Sequence, residues 1–237
     1  MLKNFLPHKA ILINNKFIFF LTVLMILIIF VGLIFSLLIS PSDYIQGDSV
    51  RIMYVHVPAS FIALSCFLLI GLISILNLIL KIKFIPLIGK SLAPIGSVFA
   101  LVSIVTGSLW GKPTGGIWWV WDARLTSMLI LFLFYIAYIY SWKLINTYET
   151  ANKVSSVIAI IGLFNLPIIK YSVEWWSTLH QPSSIQLTKA PSIHSTMLLP
   201  LVIMLVGMIF FLIVIFLMKY KSEIMKFKIS KKDKFKN

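Results

Sequence analysis

Six stretches of this 237-residue chain stay apolar long enough to cross a lipid bilayer, and nothing else in the sequence restricts the fold as much. At about 1.5 Å of rise per helical residue, a hydrocarbon core of roughly 30 Å needs about 20 residues. The stretches run from about 17 to 39, 57 to 80, 91 to 109, 125 to 143, 153 to 172 and 196 to 218, with ends placed to about 2 to 4 residues. With 59% hydrophobic and 12% charged residues, the chain uses lipid as its solvent. The expected fold is all-α: a polytopic membrane helix bundle with six transmembrane helices, forming a single transmembrane domain over 1–237. The first stretch exceeds a signal-peptide core and lacks a small-residue cleavage site, so it counts as a helix.

The net charge of +14 is distributed by side. Lys3, Lys9, Lys16, Lys81, Lys83, Lys90, Lys143, Lys153 and a tail opened by Lys219 with seven further lysines give sixteen basic residues on one side. The other side carries five: Arg51, Lys112, Arg124, Lys170 and Lys189. The positive-inside rule then sets both termini in the cytoplasm, with a basic cytoplasmic tail at 219–237. Such a tail meets anionic membrane lipid or water rather than nucleic acid. Within the spans, away from the lysines at their inner ends, Lys170, near an outer end, is the only charged residue, which disfavours an ion-coupled carrier. No internal repeat is evident, which argues against an inverted-repeat transporter. Pro94 and Gly96 in the third span, and Gly162, Asn165 and Pro167 in the fifth, mark kinks or loosened backbone.

Cys66 is the only cysteine and lies in the second span, which excludes an internal disulfide, a Cys-x-x-Cys pair and covalent haem attachment through Cys-x-x-Cys-His. Most remaining polar chemistry falls in three outer connectors, near 40–56, 110–124 and 173–195. The second belongs to a tryptophan-rich outer connector at 110–126, which holds four of the seven tryptophans, Trp110, Trp118, Trp119 and Trp121, beside Asp122 and Arg124. Indoles clustered at an interface form either an anchoring belt or a platform for a flat apolar ligand. Trp118, Trp119 and Trp121 fit a short interfacial helix with their indoles on one side. Gly111, Pro113, Gly115 and Gly116 favour a close-approach turn, and Arg124 suits a carboxylate, with Asp122 orienting it or an indole N–H. Belt and platform both remain open on these residues alone.

His56 precedes Val57-Pro58, which biases the backbone to extended where the second span begins and projects the ring at the outer surface. His180 lies in the last outer connector, in Trp175-Trp176-Ser177-Thr178-Leu179-His180-Gln181-Pro182. Two imidazoles at one membrane depth beside aromatic surfaces meet the minimum for a six-coordinate haem, although an interfacial histidine is more often a hydrogen-bonded structural residue. His194 competes as a ligand, and His8 falls on the cytoplasmic side.

The run Trp110-Gly111-Lys112-Pro113 with Trp118-Trp119-Val120-Trp121-Asp122-Ala123-Arg124-Leu125-Thr126-Ser127 resembles the WWD signature of the tryptophan-rich haem-handling membrane proteins of cytochrome c biogenesis. His56-Val57-Pro58-Ala59 and Val173-Glu174 with the His180 segment extend the likeness to the six-span members of that family, across essentially the whole chain. The resemblance implies that His56 and His180 are axial ligands to the haem iron and that Trp118, Trp119, Trp121 and Asp122 cradle its edge. Trp110 and Arg124, in the same motif, complete the candidate haem-binding set. Gly115 stands where the family usually has another tryptophan, so no contact is carried to that position.

The same resemblance implies haem b held non-covalently and transiently, and delivery to a periplasmic haem chaperone for c-type cytochrome maturation. It also implies ATP-binding-cassette subunits and a small single-span membrane adaptor as partners. This chain has no phosphate-binding loop, so ATP hydrolysis belongs to another subunit. The expected location is the bacterial inner membrane with the haem site on the periplasmic side, and a mitochondrial inner membrane is also compatible. The chain reads as a binding and transfer component rather than an enzyme. Its rivals are a haem transporter across the bilayer, a haem synthase acting on apocytochrome c, and an electron-transfer cytochrome. The lack of a large outer domain and of a midspan histidine pair speaks against the last two.

Overall fold

The computed structural model describes residues 14–176 and 193–233. Among these, six helical segments are long and apolar enough to span a membrane, and the only β-type pairing is an isolated bridge between Asp43 and Gly47. Helix α1 (Asn15–Ile34) starts where the Asn14 side chain accepts the Lys16 N–H, and it continues through a π-helical turn, Phe35–Ile39. A 3₁₀ turn, Asp48–Ile52, leads straight into α2 (Met53–Leu80). Next come α3 (Ile85–Gly115), α4 (Ala123–Leu144), α5 (Tyr148–Leu163), α6 (Asn165–Trp175) and α7 (Ser195–Asp233).

Helix α2 is central, packed most extensively on α3 and also on α5 and α7, while α4 packs on α3, α5 and α6. Helix α1 leans chiefly on α7 and leaves most of its apolar side chains outward, as lipid solvation permits. The α2–α3–α4 contact contains Ala59, Ala63, Cys66, Phe67, Ala93 and Leu131, all essentially without exposure. Small residues set the approach: a Cβ at Gly96 would lie 2.2 Å from the Tyr135 hydroxyl oxygen, and one at Gly162 would lie 2.5 Å from the Phe67 ring. Without a hydrophobic drive between helices in lipid, such close packing and interhelical hydrogen bonds hold the bundle. Tyr135 shows both, since its hydroxyl donates to the Ala63 carbonyl at 2.6 Å.

Several elements depart from the expected limits. Helix α3 runs from Ile85 to Gly115 rather than 91 to 109. Pro86 suits a first turn, where no N–H is needed, and Gly116, at φ 77°, provides a left-handed C-terminal cap. The fifth span is divided at Phe164, between α5 and α6, where Gly162, Asn165 and Pro167 cluster. The Asn165 amide donates to the Ser127 carbonyl at 2.8 Å and ties the break to α4.

At the lysine-rich end, α7 passes residue 219 as one continuous helix to Asp233, so most of the expected tail is helical. Packing explains it: Ile224 is fully buried, Phe227 lies edge-on to Phe84 at 5.4 Å and tilted on Tyr148 at 5.0 Å, and Glu223 pairs with Lys90 at 2.8 Å.

Candidate functional site

At the opposite, tryptophan-rich end, α2, α3, α4 and the α3–α4 connector enclose a cleft of about 450 Å³, within the range of small-molecule sites. Six candidate residues line it: His56, Trp110, Trp118, Trp119, Asp122 and Arg124. Trp121 is not among the lining residues. It is 75% exposed and stands edge-on to Trp119, with ring centroids 5.5 Å apart. His180 lies outside the described residues, as does His8.

The histidine sits on helix rather than extended backbone. The 3₁₀ turn at Asp48–Ile52 starts the winding early, so Val57-Pro58 falls inside α2 and His56 occupies its first turns. The expectation of extended backbone there is therefore corrected. The His56 ring leans on α3: Nδ1 is 3.0 Å from the Thr106 hydroxyl, and the Trp110 ring meets it edge-on at 5.8 Å. One turn deeper, the hydroxyls of Ser60 and Ser103 are 2.5 Å apart, a second polar rung between the same two helices.

The connector is shorter than 110–126. Residues 110–115 complete α3, with the Thr114 hydroxyl donating to the Trp110 carbonyl at 2.7 Å, and only 116–122 link the helices. Trp118, Trp119 and Trp121 form no helix, in contrast to the expected interfacial one. The link is too short, being fixed at one end by the Gly116 cap and at the other by Asp122, the N-cap of α4. Asp122 Oδ1 accepts the Leu125 N–H at 2.7 Å. Among the described residues no close ion pair joins Asp122 to Arg124; the carboxylate caps the helix and acts on the guanidinium only through its charge.

Two residues that line the cleft each carry a buried polar atom without a partner among the described residues: the Trp119 indole N–H and Asp122 Oδ2. A buried polar group left unsatisfied costs about 1–3 kcal/mol, so the wall of the cleft carries two groups that a small rearrangement onto a polar partner would relieve.

Sequence reasoning missed the turn over the cleft. Asp43 Oδ1 accepts the N–H groups of Ile45 and Gln46 at 2.9 and 2.8 Å, and Gly47, at φ 56°, closes the turn in a conformation reserved for glycine. Arg51 anchors the segment by donating to the carbonyls of Leu37 and Ser40, and Tyr54 is hydrogen bonded to the Ser40 hydroxyl. Gln46 is thereby presented to Trp110, whose indole N–H it accepts at 2.8 Å. Nothing in the sequence marks Gln46, Ser60 or Thr106, because their roles exist only across chain segments distant in sequence.

His194 lies apart from this cleft's lining. It is exposed at the start of α7, where its carbonyl accepts the N–H groups of Met197 and Leu198 and its Nδ1 is 2.8 Å from the Thr196 hydroxyl. No group of three or more potential metal-ligating side chains occurs among the described residues.

Fold and cleft together define a polytopic α-helical membrane protein with a tryptophan-walled pocket at an end of its bundle. The heme exporter protein C profile matches residues 2–234. Heme exporter protein C of Haemophilus influenzae is 40% identical, over 83% of this chain and 80% of its own length. Heme exporter protein C of Bradyrhizobium diazoefficiens is 34% identical over 93% and 83%. A putative cytochrome c biosynthesis ccmC-like mitochondrial protein of Marchantia polymorpha is 42% identical over 83% of each. This chain belongs to the heme exporter protein C family.

Proposed function

We propose that this protein holds haem non-covalently in the tryptophan-walled cleft, at the outer face of an energy-coupling inner membrane, and passes it to a haem chaperone for c-type cytochrome maturation. Membership of a family named for heme export, with a relative named for cytochrome c biosynthesis, supports haem as the cargo. The observation that carries the reading is the convergence of His56 with Trp110, Trp118, Trp119, Asp122 and Arg124 at one aromatic cleft. A macrocycle needs apolar faces, an axial nitrogen and polar groups at its edge, and this wall offers each. His56 is the ligand within the cleft, and His180 is assigned as the second by the resemblance of its segment. Arg124 suits a haem propionate.

The clustering of lysines at the other end supports an outer, periplasmic placement of the cleft. Tight packing one turn below it supports binding at one face rather than passage through this chain. There Phe67, Leu131 and Tyr135 are fully buried, without room between α2, α3 and α4 for a macrocycle. ATP-binding-cassette subunits, a single-span adaptor and the chaperone complete the assembly in this reading.

The test is the absorption spectrum of the purified, haem-loaded full chain, wild type against His56→Ala and His180→Ala. Each substitution is expected to abolish the low-spin bands. Unchanged low-spin haem in both would overturn the ligand assignment.

A further inference from the structure

We infer that Thr106 is a positioning residue that presets His56 as a nitrogen ligand by fixing its tautomer. The inference rests on the proposed role of His56 toward haem and adds a residue outside the tryptophan-rich motif.

The hydroxyl of Thr106 has one proton to give. Two carbonyls of its own helix compete for it: Val102, at 2.6 Å, and Ser103, at 3.2 Å. With that proton turned back into α3, the hydroxyl oxygen faces the imidazole as an acceptor, and His56 Nδ1, 3.0 Å away, must supply the hydrogen. Nδ1–H assigns the lone pair to Nε2. An imidazole held in this way is the ligating tautomer, and the acceptor behind it raises its donor strength, as such partners do at other histidine–metal sites.

Two further positions on the same face of α3 make the placement specific. Gly107 lets the ring lie close, since a Cβ there would stand 3.1 Å from His56 Cε1. The edge-on ring of Trp110 meets the imidazole one turn along from Thr106. The Ser60–Ser103 rung then locks the register of α2 against α3, so that the His56 ring falls against Thr106, Gly107 and Trp110. Thr106 thus acts through His56 and need not touch the cargo.

The experiment uses the haem-loaded full chain in lipid nanodiscs and measures the haem dissociation rate and the reduction potential. Thr106→Val matches the shape and removes the acceptor, Thr106→Ala guards against a packing artefact in that variant, and Thr106→Ser restores the hydroxyl. Loss of a partner behind a metal-bound histidine typically weakens binding about 10- to 100-fold, so Val and Ala should release haem faster by that order. Their potential should move upward, because a less electron-rich imidazole favours ferric iron less. Serine should return both quantities to the wild-type values. His56→Ala is run alongside. If it abolishes low-spin haem while Val and Ala match wild type in rate and potential, the Thr106 inference is overturned and the ligand reading stands. If His56→Ala leaves the spectrum unchanged, both fall. A loss with Val and Ala that serine fails to reverse would mean that position 106 acts through packing, and would also overturn the inference.

Discussion

The indole N–H of Trp110 donates to the side-chain carbonyl of Gln46 at 2.8 Å, joining the turn after α1 to the wall of the cleft. That bond orients the tryptophan that meets His56 edge-on, so the turn helps to shape the site without belonging to any helix of the wall. Gln46→Ala strands the indole N–H and removes a bond worth about 0.5–1.5 kcal/mol. Haem retention should fall roughly two- to tenfold, with the helical melting temperature little changed. Dissociation rates and circular-dichroism melts of wild type and variant check this. Unaltered haem release would show that Trp110 is held by packing alone.

Gly115, the last residue of α3, lines the cleft, and a Cβ built there meets nothing within 4 Å. Its backbone is not in the positive-φ region that confines Gly116 to glycine, so a side chain at 115 adds no strain. Gly115→Trp should therefore fold normally and add aromatic surface beside the cargo. An aromatic pair contributes about 0.5–1.5 kcal/mol beyond area burial, so haem should bind about two- to tenfold more tightly. Haem titration monitored by quenching of tryptophan fluorescence is the readout, and weaker binding would mean that the cleft needs an open rim at this position.

How much of this was legible in sequence depends on whether a feature is local. Six apolar runs gave six spans, because a hydropathy run is read one segment at a time. The division at Phe164 follows from Gly162, Asn165 and Pro167, which weaken one stretch of backbone together. Outer-connector residues as far apart as His56 and Trp119 were expected at one level of the membrane, and they do share a cleft. Helix ends were harder. Trp110 to Gly115 looked like connector because Gly and Pro crowd the segment, yet Pro113 sits within α3 and Gly116 alone ends it. What could not be read were pairings across helices. Thr106 and Ser60 are ordinary hydroxyl residues until α2 and α3 set them against His56 and Ser103.

His194 is the nearest competitor for the role of ligand among the described histidines, and its surroundings argue against it. Its Nδ1 is engaged by Thr196, both through the hydroxyl at 2.8 Å and through the backbone N–H at 3.4 Å, in a local arrangement at the start of α7. A backbone N–H pointing at Nδ1 requires that nitrogen to accept, so the ring is used as a helix cap. His194→Ala should leave the haem spectrum intact and lower stability by about 0.5–2 kcal/mol, as loss of a cap does. Disappearance of low-spin haem in this variant would transfer the ligand assignment to His194.

The lysine-rich end should govern stability independently of the cleft. Glu223 is only 7% exposed, and its carboxylate pairs with Lys90 at 2.8 Å and Lys226 at 3.2 Å, while Lys90 also lies 5.1 Å from the Trp142 ring centroid. Removing one member of a fully buried ion pair costs about 3–5 kcal/mol, whereas an exposed pair contributes about 0–1. Lys90 is about one-third exposed and Lys226 largely so, which puts Glu223→Ala between these limits, at about 1–3 kcal/mol. The loss should free the part of α7 beyond residue 219 from α3 and α5, because Glu223 lies in the same stretch as Ile224 and Phe227. The variant should therefore melt earlier and be cleaved faster by protease after Lys219 or Lys221, with unchanged haem affinity. Lys90→Met combined with Glu223→Leu removes both charges and should recover much of the melting temperature, since a well-packed apolar pair substitutes for a buried ionic one. A Glu223→Ala chain that melts like wild type would show that Phe227 and Ile224 hold the helix without the ion pair. One that loses haem binding would show that the two ends of the bundle are coupled.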